Sequence, residues 1–314
     1  MRLFRYLFFV VVLLIATGVF AQTEGASLDE RGYGLYIPST YDENGDNDLP
    51  LLIALHGFGD TWENFYPGTG FIPLAEQENF IVAFPQGYLN QWNDGTRGDH
   101  EEDDVQILRD LVERVDRDYR VDLDRVYLVG FSNGGMMVFR AGCEAPDLFA
   151  GIASVAGTLL SQQATECPEE AQLPVLMIHS VDDMTVPFNG GNGRLPVPLG
   201  VQFWTSHNDC DIADVPEFAN ELFNNGFFVY WYSDCPDGNM VMLHALQETG
   251  HSWPGAGAYL QGNTPVPAHL DTARFVWGFF ELSYDAKLRA AENPEMTPEA
   301  TAEMTAEVTE SPDE

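Results

Sequence analysis

Residues 125–137, RVYLVGFSNGGMM, constrain the chain most, because they ask for a buried strand, a turn that only small residues can make and a helix start in immediate succession. The apolar, β-branched run from Val126 to Val129 suits a strand covered on both faces, as in a parallel sheet. Gly130, Ser132 and Gly134 then spell G-x-S-x-G. In that turn the serine takes a strained backbone conformation at the carboxyl end of the strand, and the glycines two before and two after let strand and helix approach closely. Ser132 is therefore a candidate nucleophile. The same geometry puts the Asn133 N–H at a helix N-terminus, where partial positive charge can stabilise an oxyanion. The pentapeptide alone is common; strand before and helix after give it its weight.

The rest of the chain can be arranged around this turn. Residues 31–37 alternate like an edge strand, and 49–55 (LPLLIAL), 80–84, 151–155 and 174–179 read as buried strands. Residues 105–119 place Val105, Leu108, Leu111, Val112 and Val115 on one helical face, a core stripe, with Asp103 and Asp104 at its N-cap and first turn. Helices are also expected from 133 to about 143, around 202–207 and over 273–282, and strands over 227–232 and 240–247. Strands alternating with helices predict an α/β fold with a mostly parallel central sheet and helices on both faces. His56-Gly57-Phe58 follows the second strand, where α/β hydrolases take their other oxyanion donor, so the Phe58 N–H is the candidate and His56 braces the loop.

Composition narrows the function classes. In 314 residues, 49 acidic against 14 basic side chains give a formal net charge of -35. Such a surface repels phosphate backbones and anionic lipid, so neither nucleic acid nor an anionic membrane is an expected partner. Residues 1–21 read as a secretory signal: Arg2 and Arg5, an apolar run from Leu7 to Phe20, then Val19-Phe20-Ala21 as cleavage site, with cleavage after Ala21. In an exported chain the four cysteines are expected as disulfides, and of three connectivities the neighbour pairing Cys143 with Cys167 and Cys210 with Cys235 is preferred. Residues 22–30 read as a polar lead-in, 31–285 as the catalytic domain, and 286–314 as the end of the last helix followed by a disordered, acidic Thr/Glu/Pro-rich tail. The polar loop 93–104 gathers Asp94, Asp99, His100, Glu101, Glu102, Asp103 and Asp104 without the spacing of a calcium loop, so no metal or other cofactor is expected.

Two more residues complete a chemical set. Residues 174–179 end in Ser180-Val181-Asp182-Asp183, at the end of a sheet where functional side chains collect, and His251 lies on the loop leaving the last strand. Ser132, then Asp183, then His251 is the α/β-hydrolase chain order and differs from the orders in chymotrypsin and subtilisin. By position alone either Asp182 or Asp183 would serve.

LLIALHGFGD, DDVQILRDLV, DRVYLVGFSNGGMM, HSVDDMTVPF and GHSWPG, in that order, resemble the secreted polyhydroxybutyrate depolymerase-like esterases, the group that includes feruloyl and acetylxylan esterases of carbohydrate esterase family 1. The resemblance spans about residues 31–282. It implies an α/β-hydrolase fold and a serine carboxylic-ester hydrolase, with Ser132 in G-x-S-N-G-G and His251 in G-H-x-W-P-G. Its aspartate precedes x-x-V-P, which selects Asp183, and its disulfide positions match Cys143 and the pair Cys210 and Cys235. Where the family often reads H-G, this chain has His179-Ser180.

Feruloyl or acetyl esters of polysaccharide, or small esters, are the expected substrates, with 3-hydroxybutyrate oligomers as the alternative. Trp92 and Trp253 are candidate substrate contacts that core packing would explain equally well. A prolyl-oligopeptidase-type peptidase would use the same triad with an added gating domain, for which the chain has little room. A non-catalytic binding protein on the same scaffold is a third class, against which the intact set of motifs argues. Oligomeric state is left open.

Overall fold

The computed structural model of the protein describes residues 26–45, 47–95, 102–211, 227–233, 235–255 and 270–292. In chain order the elements are α1 (Ala26–Arg31), β1 (Tyr33–Tyr36), β2 (Leu49–Leu55), α2 (Trp62–Thr69), α3 (Phe71–Glu78), β3 (Ile81–Pro85), α4 (Asp104–Asp118), β4 (Val121–Phe131), α5 (Asn133–Glu144), β5 (Gly151–Val155), α6 (Ser161–Glu166), β6 (Val175–Ser180), α7 (Val197–His207), β7 (Phe227–Tyr232), β8 (Val241–Leu246) and α8 (Thr272–Glu292). The strands form one sheet in the order β1-β3-β2-β4-β5-β6-β8-β7. β1 and β7 run antiparallel at its edges, and the strands between them are parallel. The expected architecture, an α/β-hydrolase fold with a mostly parallel sheet, is the one observed.

Alternation along the strands explains why both faces are covered. In β2, Leu51, Ile53 and Leu55 join the core under α4, α5 and α7, while Leu52 and Ala54 join the core under α2, α3 and α8. β4 divides likewise, with Val126 and Leu128 on the first face and Tyr127, Val129 and Phe131 on the second. Each large side chain so buried stabilises the fold by roughly 1.5–3 kcal/mol. The second face is held by aromatic stacking, Tyr127 on Phe280 and Phe80 on Trp277, with centroids 4.5 and 3.7 Å apart.

Two boundaries differ from expectation. The lead-in contains α1, because Leu28 is buried against the core and Arg31 pairs with Glu102 and Asp104 on the approach to α4. The last helix, expected over 273–282, runs from Thr272 to Glu292. Asp103 caps α4, accepting from the Gln106 N–H, whereas Asp104 is fully buried as the partner of Arg31. Both disulfides have the expected pairing, Cys143–Cys167 joining α5 to the segment after α6 and Cys210–Cys235 closing the segment between α7 and β8. Closing loops of this size constrains the unfolded chain by about 3 kcal/mol each in the chain-entropy model. Residues 1–25, which include the expected signal, residues 96–101 of the acidic loop and the tail from 293 lie outside the described residues.

Candidate active site

At the end of β4 the backbone turns sharply, and Ser132 takes φ 55 and ψ -115, a conformation L-residues avoid. The flanking glycines make the turn possible. A Cβ on Gly130 would lie 2.3 Å from the Gly134 carbonyl oxygen, and one on Gly134 would lie 2.5 Å from the His56 carbonyl oxygen. Strand, helix and the loop after β2 are therefore packed backbone to backbone around the serine. The Ser132 N–H donates to the Val155 carbonyl at 2.9 Å, tying the turn to β5.

β4, β6 and β8 release three side chains at the same end of the sheet. His251 Nε2 lies 2.8 Å from Ser132 Oγ, and His251 Nδ1 lies 2.7 Å from Asp183 Oδ2. Nδ1–H donating to the carboxylate leaves Nε2 as the acceptor of the hydroxyl proton. Asp183 Oδ1 accepts from the Thr185 and Val186 N–H groups, both at 2.8 Å, so both carboxylate oxygens are committed. Burial alone would raise the Asp183 carboxyl, but its hydrogen bond and charge attraction to His251, with the Val186 N–H, hold it below the usual range. It stays ionised beside the imidazole.

Asp182 does something else. Its Oδ1 accepts from the Ser180 hydroxyl and from the Gly250 N–H, bracing the loop that carries His251. Geometry thus separates the neighbouring aspartates: Asp183 meets the imidazole, Asp182 the backbone beside it. His179 faces inward, its Nε2–H donating to the Val186 carbonyl at 2.8 Å, and so holds the turn that binds Asp183.

Ser132 and His251 retain 7 and 9% of their surface. The loop after β2 forms one wall. A Cβ on Gly57 would lie 3.5 Å from the Ser132 Cβ, and Phe58 follows with 43% of its surface exposed. Across from it, the Asn133 N–H opens α5, where no intrahelical carbonyl precedes it. His56 is a brace, with Nδ1–H donating to the Gly57 carbonyl and Nε2 accepting from the Gly87 N–H. Burial lowers its pKa.

The two tryptophans, candidate substrate contacts, are both buried. Trp92 is 2% exposed, with its indole N–H on the His56 carbonyl. Trp253 is fully buried among Phe65, Phe71 and Phe131, donating to the Thr69 carbonyl, and anchors the segment bearing His251. The sequence placed Asp94 only in the acidic loop and did not single out Gln163: Asp94 accepts from the Asn133 side chain at 2.6 Å, and Gln163 donates to the Asp94 and Met136 carbonyls. Partners so far apart in the chain leave no periodic trace.

With this geometry in view, the similarities to known proteins are specific. Residues 42–195 match the phospholipase/carboxylesterase family model. Feruloyl esterase B of Piromyces equi is 30% identical over 226 residues, 66% of this chain and 40% of that protein. Poly(3-hydroxyalkanoate) depolymerase C of Paucimonas lemoignei is 27% identical over 162 residues, 47% of this chain and 37% of that protein. The chain spans less than half the length of either relative. The feruloyl esterase module of Clostridium thermocellum, solved with sinapinate, superposes with a TM-score of 0.55 at 14% identity, covering 85% of this chain and 86% of that one, a likeness of fold.

Proposed function

We propose, from the premise that this chain is a member of the α/β-hydrolases, that it is a serine carboxylic-ester hydrolase working through an acyl-enzyme. The observation that carries the reading is His251, hydrogen-bonded to Ser132 Oγ on one ring nitrogen and to Asp183 on the other. Ser132 Oγ attacks the ester carbonyl while His251 Nε2 takes its proton. That proton passes to the departing alkoxide, and the acyl group stays on the serine. Water then repeats the sequence, its proton going to His251 and back to Ser132 as the acid leaves. Asp183 holds the imidazole tautomer and offsets its positive charge. The Phe58 and Asn133 N–H groups receive the tetrahedral oxyanion.

For substrate, feruloyl or acetyl esters of polysaccharide, or small esters, are the first reading, supported by the feruloyl esterase relative. The depolymerase relative favours a second, 3-hydroxyalkanoate oligoesters. Export is part of the proposal: two disulfides suit an oxidising compartment, and among the described residues no helix is long and apolar enough to cross a membrane.

The test is hydrolysis of methyl ferulate, acetylated xylan and a 3-hydroxybutyrate oligomer, side by side, by wild type and Ser132→Ala. Turnover that falls by roughly 10⁵-fold or more in the variant, with unchanged circular dichroism, is expected. Turnover surviving in Ser132→Ala removes the nucleophile assignment, and release mainly from the third substrate makes the second reading the correct one.

A further inference from the structure

We propose that residues 92–94 are a strut that sets the spacing between the two oxyanion-donating segments, with Trp92 and Asp94 as positioning residues. This rests on the esterase reading above. One segment is the loop 56–58 and the other is the start of α5. Trp92 reaches both. Its indole N–H donates to the His56 carbonyl at 3.0 Å, and its backbone N–H donates to Asn133 Oδ1 at 2.7 Å.

Both polar atoms of the Asn133 amide are engaged in this contact. Its Nδ2 donates to the Trp92 carbonyl at 3.0 Å and to Asp94 Oδ2 at 2.6 Å. An asparagine side chain has two N–H donors and one acceptor oxygen, and both donors and the oxygen are engaged inside the protein. Its backbone N–H is what it offers to a substrate. The side chain clamps the helix start to the strut, and Asp94, 3% exposed, places a carboxylate at the far side of the clamp.

The strut is itself immobilised on its outer face. The Asn93 N–H donates to Asp104 Oδ2 at 2.6 Å, the Asn93 carbonyl accepts from Arg140 at 2.7 Å, and the Asp94 carbonyl accepts from Gln163 at 2.9 Å. The Asp94 N–H turns back to the Trp92 carbonyl at 3.0 Å. Every backbone N–H and carbonyl from 92 to 94 thus has a partner, which a loop needs if it is to hold a distance rather than fill a space. Buried, fully paired polar networks of this kind rigidify what they connect. An oxyanion site depends on that rigidity, because its donors must already point at the position the oxyanion will take.

Trp92→Phe removes the indole donor, Asp94→Asn keeps an acceptor without the charge, and Asp94→Leu removes the acceptor. For each, kcat and KM are measured on the ester the wild type hydrolyses best, with the inhibition constant of phenylboronic acid, which forms a tetrahedral adduct at the serine. In Trp92→Phe and Asp94→Leu, kcat should fall roughly 10- to 100-fold with KM within about twofold, and boronate affinity should weaken by the same factor. Asp94→Asn should fall less. A merely structural role would lower the melting temperature and leave the ratio of boronate affinity to KM unchanged, and that result overturns the strut, as does wild-type kcat in both variants. If Asp94→Leu fails to fold, Trp92→Phe decides. Turnover that needs Ser132 but ignores the strut defeats this inference alone, whereas no turnover by wild type on any of the three esters defeats the esterase reading and the strut with it.

Discussion

The two ends of β4 both carry buried ionisable chemistry, and they use it differently. At the carboxyl end Ser132, His251 and Asp183 form one continuous row of hydrogen bonds with each acceptor matched to a donor. At the amino end Arg125 pairs with Asp122 at 2.7 Å and lies over the Tyr284 ring, and the single lysine, Lys287, donates to the Ala150 carbonyl. There the Tyr127 hydroxyl and Glu281 Oε1 are buried with no hydrogen-bond partner among the described residues. Burial raises both the Tyr127 phenol and the Glu281 carboxyl, Arg125 only partly opposing it. Perturbed titration therefore occurs at both ends. What distinguishes the candidate site is the row, in which each group's shift or tautomer serves the next group.

The sharpest test of that row is the pair of neighbouring aspartates. Asp183→Asn should lower kcat by about 10⁴-fold, because the imidazole loses the carboxylate that fixes its tautomer. Asp182→Asn should cost no more than about tenfold, since Asp182 braces backbone and touches neither reacting group. Steady-state kinetics on the best ester checks both. An Asp182→Asn loss larger than that of Asp183→Asn would mean the row has been drawn through the wrong carboxylate.

A smaller effect concerns buried polarity outside any row. Burial lowers His244, on β8 against Phe275, from 6.5 to about 4. In the unfolded chain it binds a proton near pH 6.5, so stability is unaffected above that pH, is lost progressively as pH falls toward about 4, and levels off below. The loss from this group is on the order of 3 kcal/mol. Burial lowers His56 and His179 as well, adding loss in the same direction. Urea denaturation at pH 7 and pH 4.5 should show the difference shrinking in His244→Phe, and an unchanged difference would rule this group out as the source.

The smallest effect belongs to the amino end. Glu281→Gln removes a carboxyl whose folded-state pKa is raised, a group that costs stability above its unfolded pKa. The variant should leave kcat within about twofold and melt at the same temperature or slightly higher. A large loss of turnover would erase the contrast between the two ends.

Much of this was legible beforehand, for identifiable reasons. β2, β5 and β7 have the expected bounds because parallel and edge strands here are uninterrupted apolar or aromatic runs between turn residues. α2 and α3 were not foreseen: Pro67 lies inside the first, and Gly68 and Gly70 punctuate the junction, so the stretch reads as loop although Thr61 caps it. Ser132 and His251 were legible because each leaves the end of a strand, whereas position left Asp182 and Asp183 equivalent and only the x-x-V-P spacing of the family the chain resembles picked out Asp183. The destination of Trp92 was not, since an aromatic in a polar loop can turn toward a ligand or toward the core with the same local sequence, and the choice is made by Asn133 and His56 far away.

The backbone at Ser132 has a consequence for anyone improving this protein. Holding a non-glycine residue at φ 55, ψ -115 costs about 1–3 kcal/mol. Glycine there would relieve that cost while adding only ~0.4–1 kcal/mol of unfolded-chain entropy. On the proposed mechanism, the residue that suits the fold at this one position is the one that cannot do the chemistry. A library ranked on heat tolerance alone would enrich glycine at 132 and bring protein without the proposed nucleophile to the top, so any selection for robustness has to carry a turnover readout beside it.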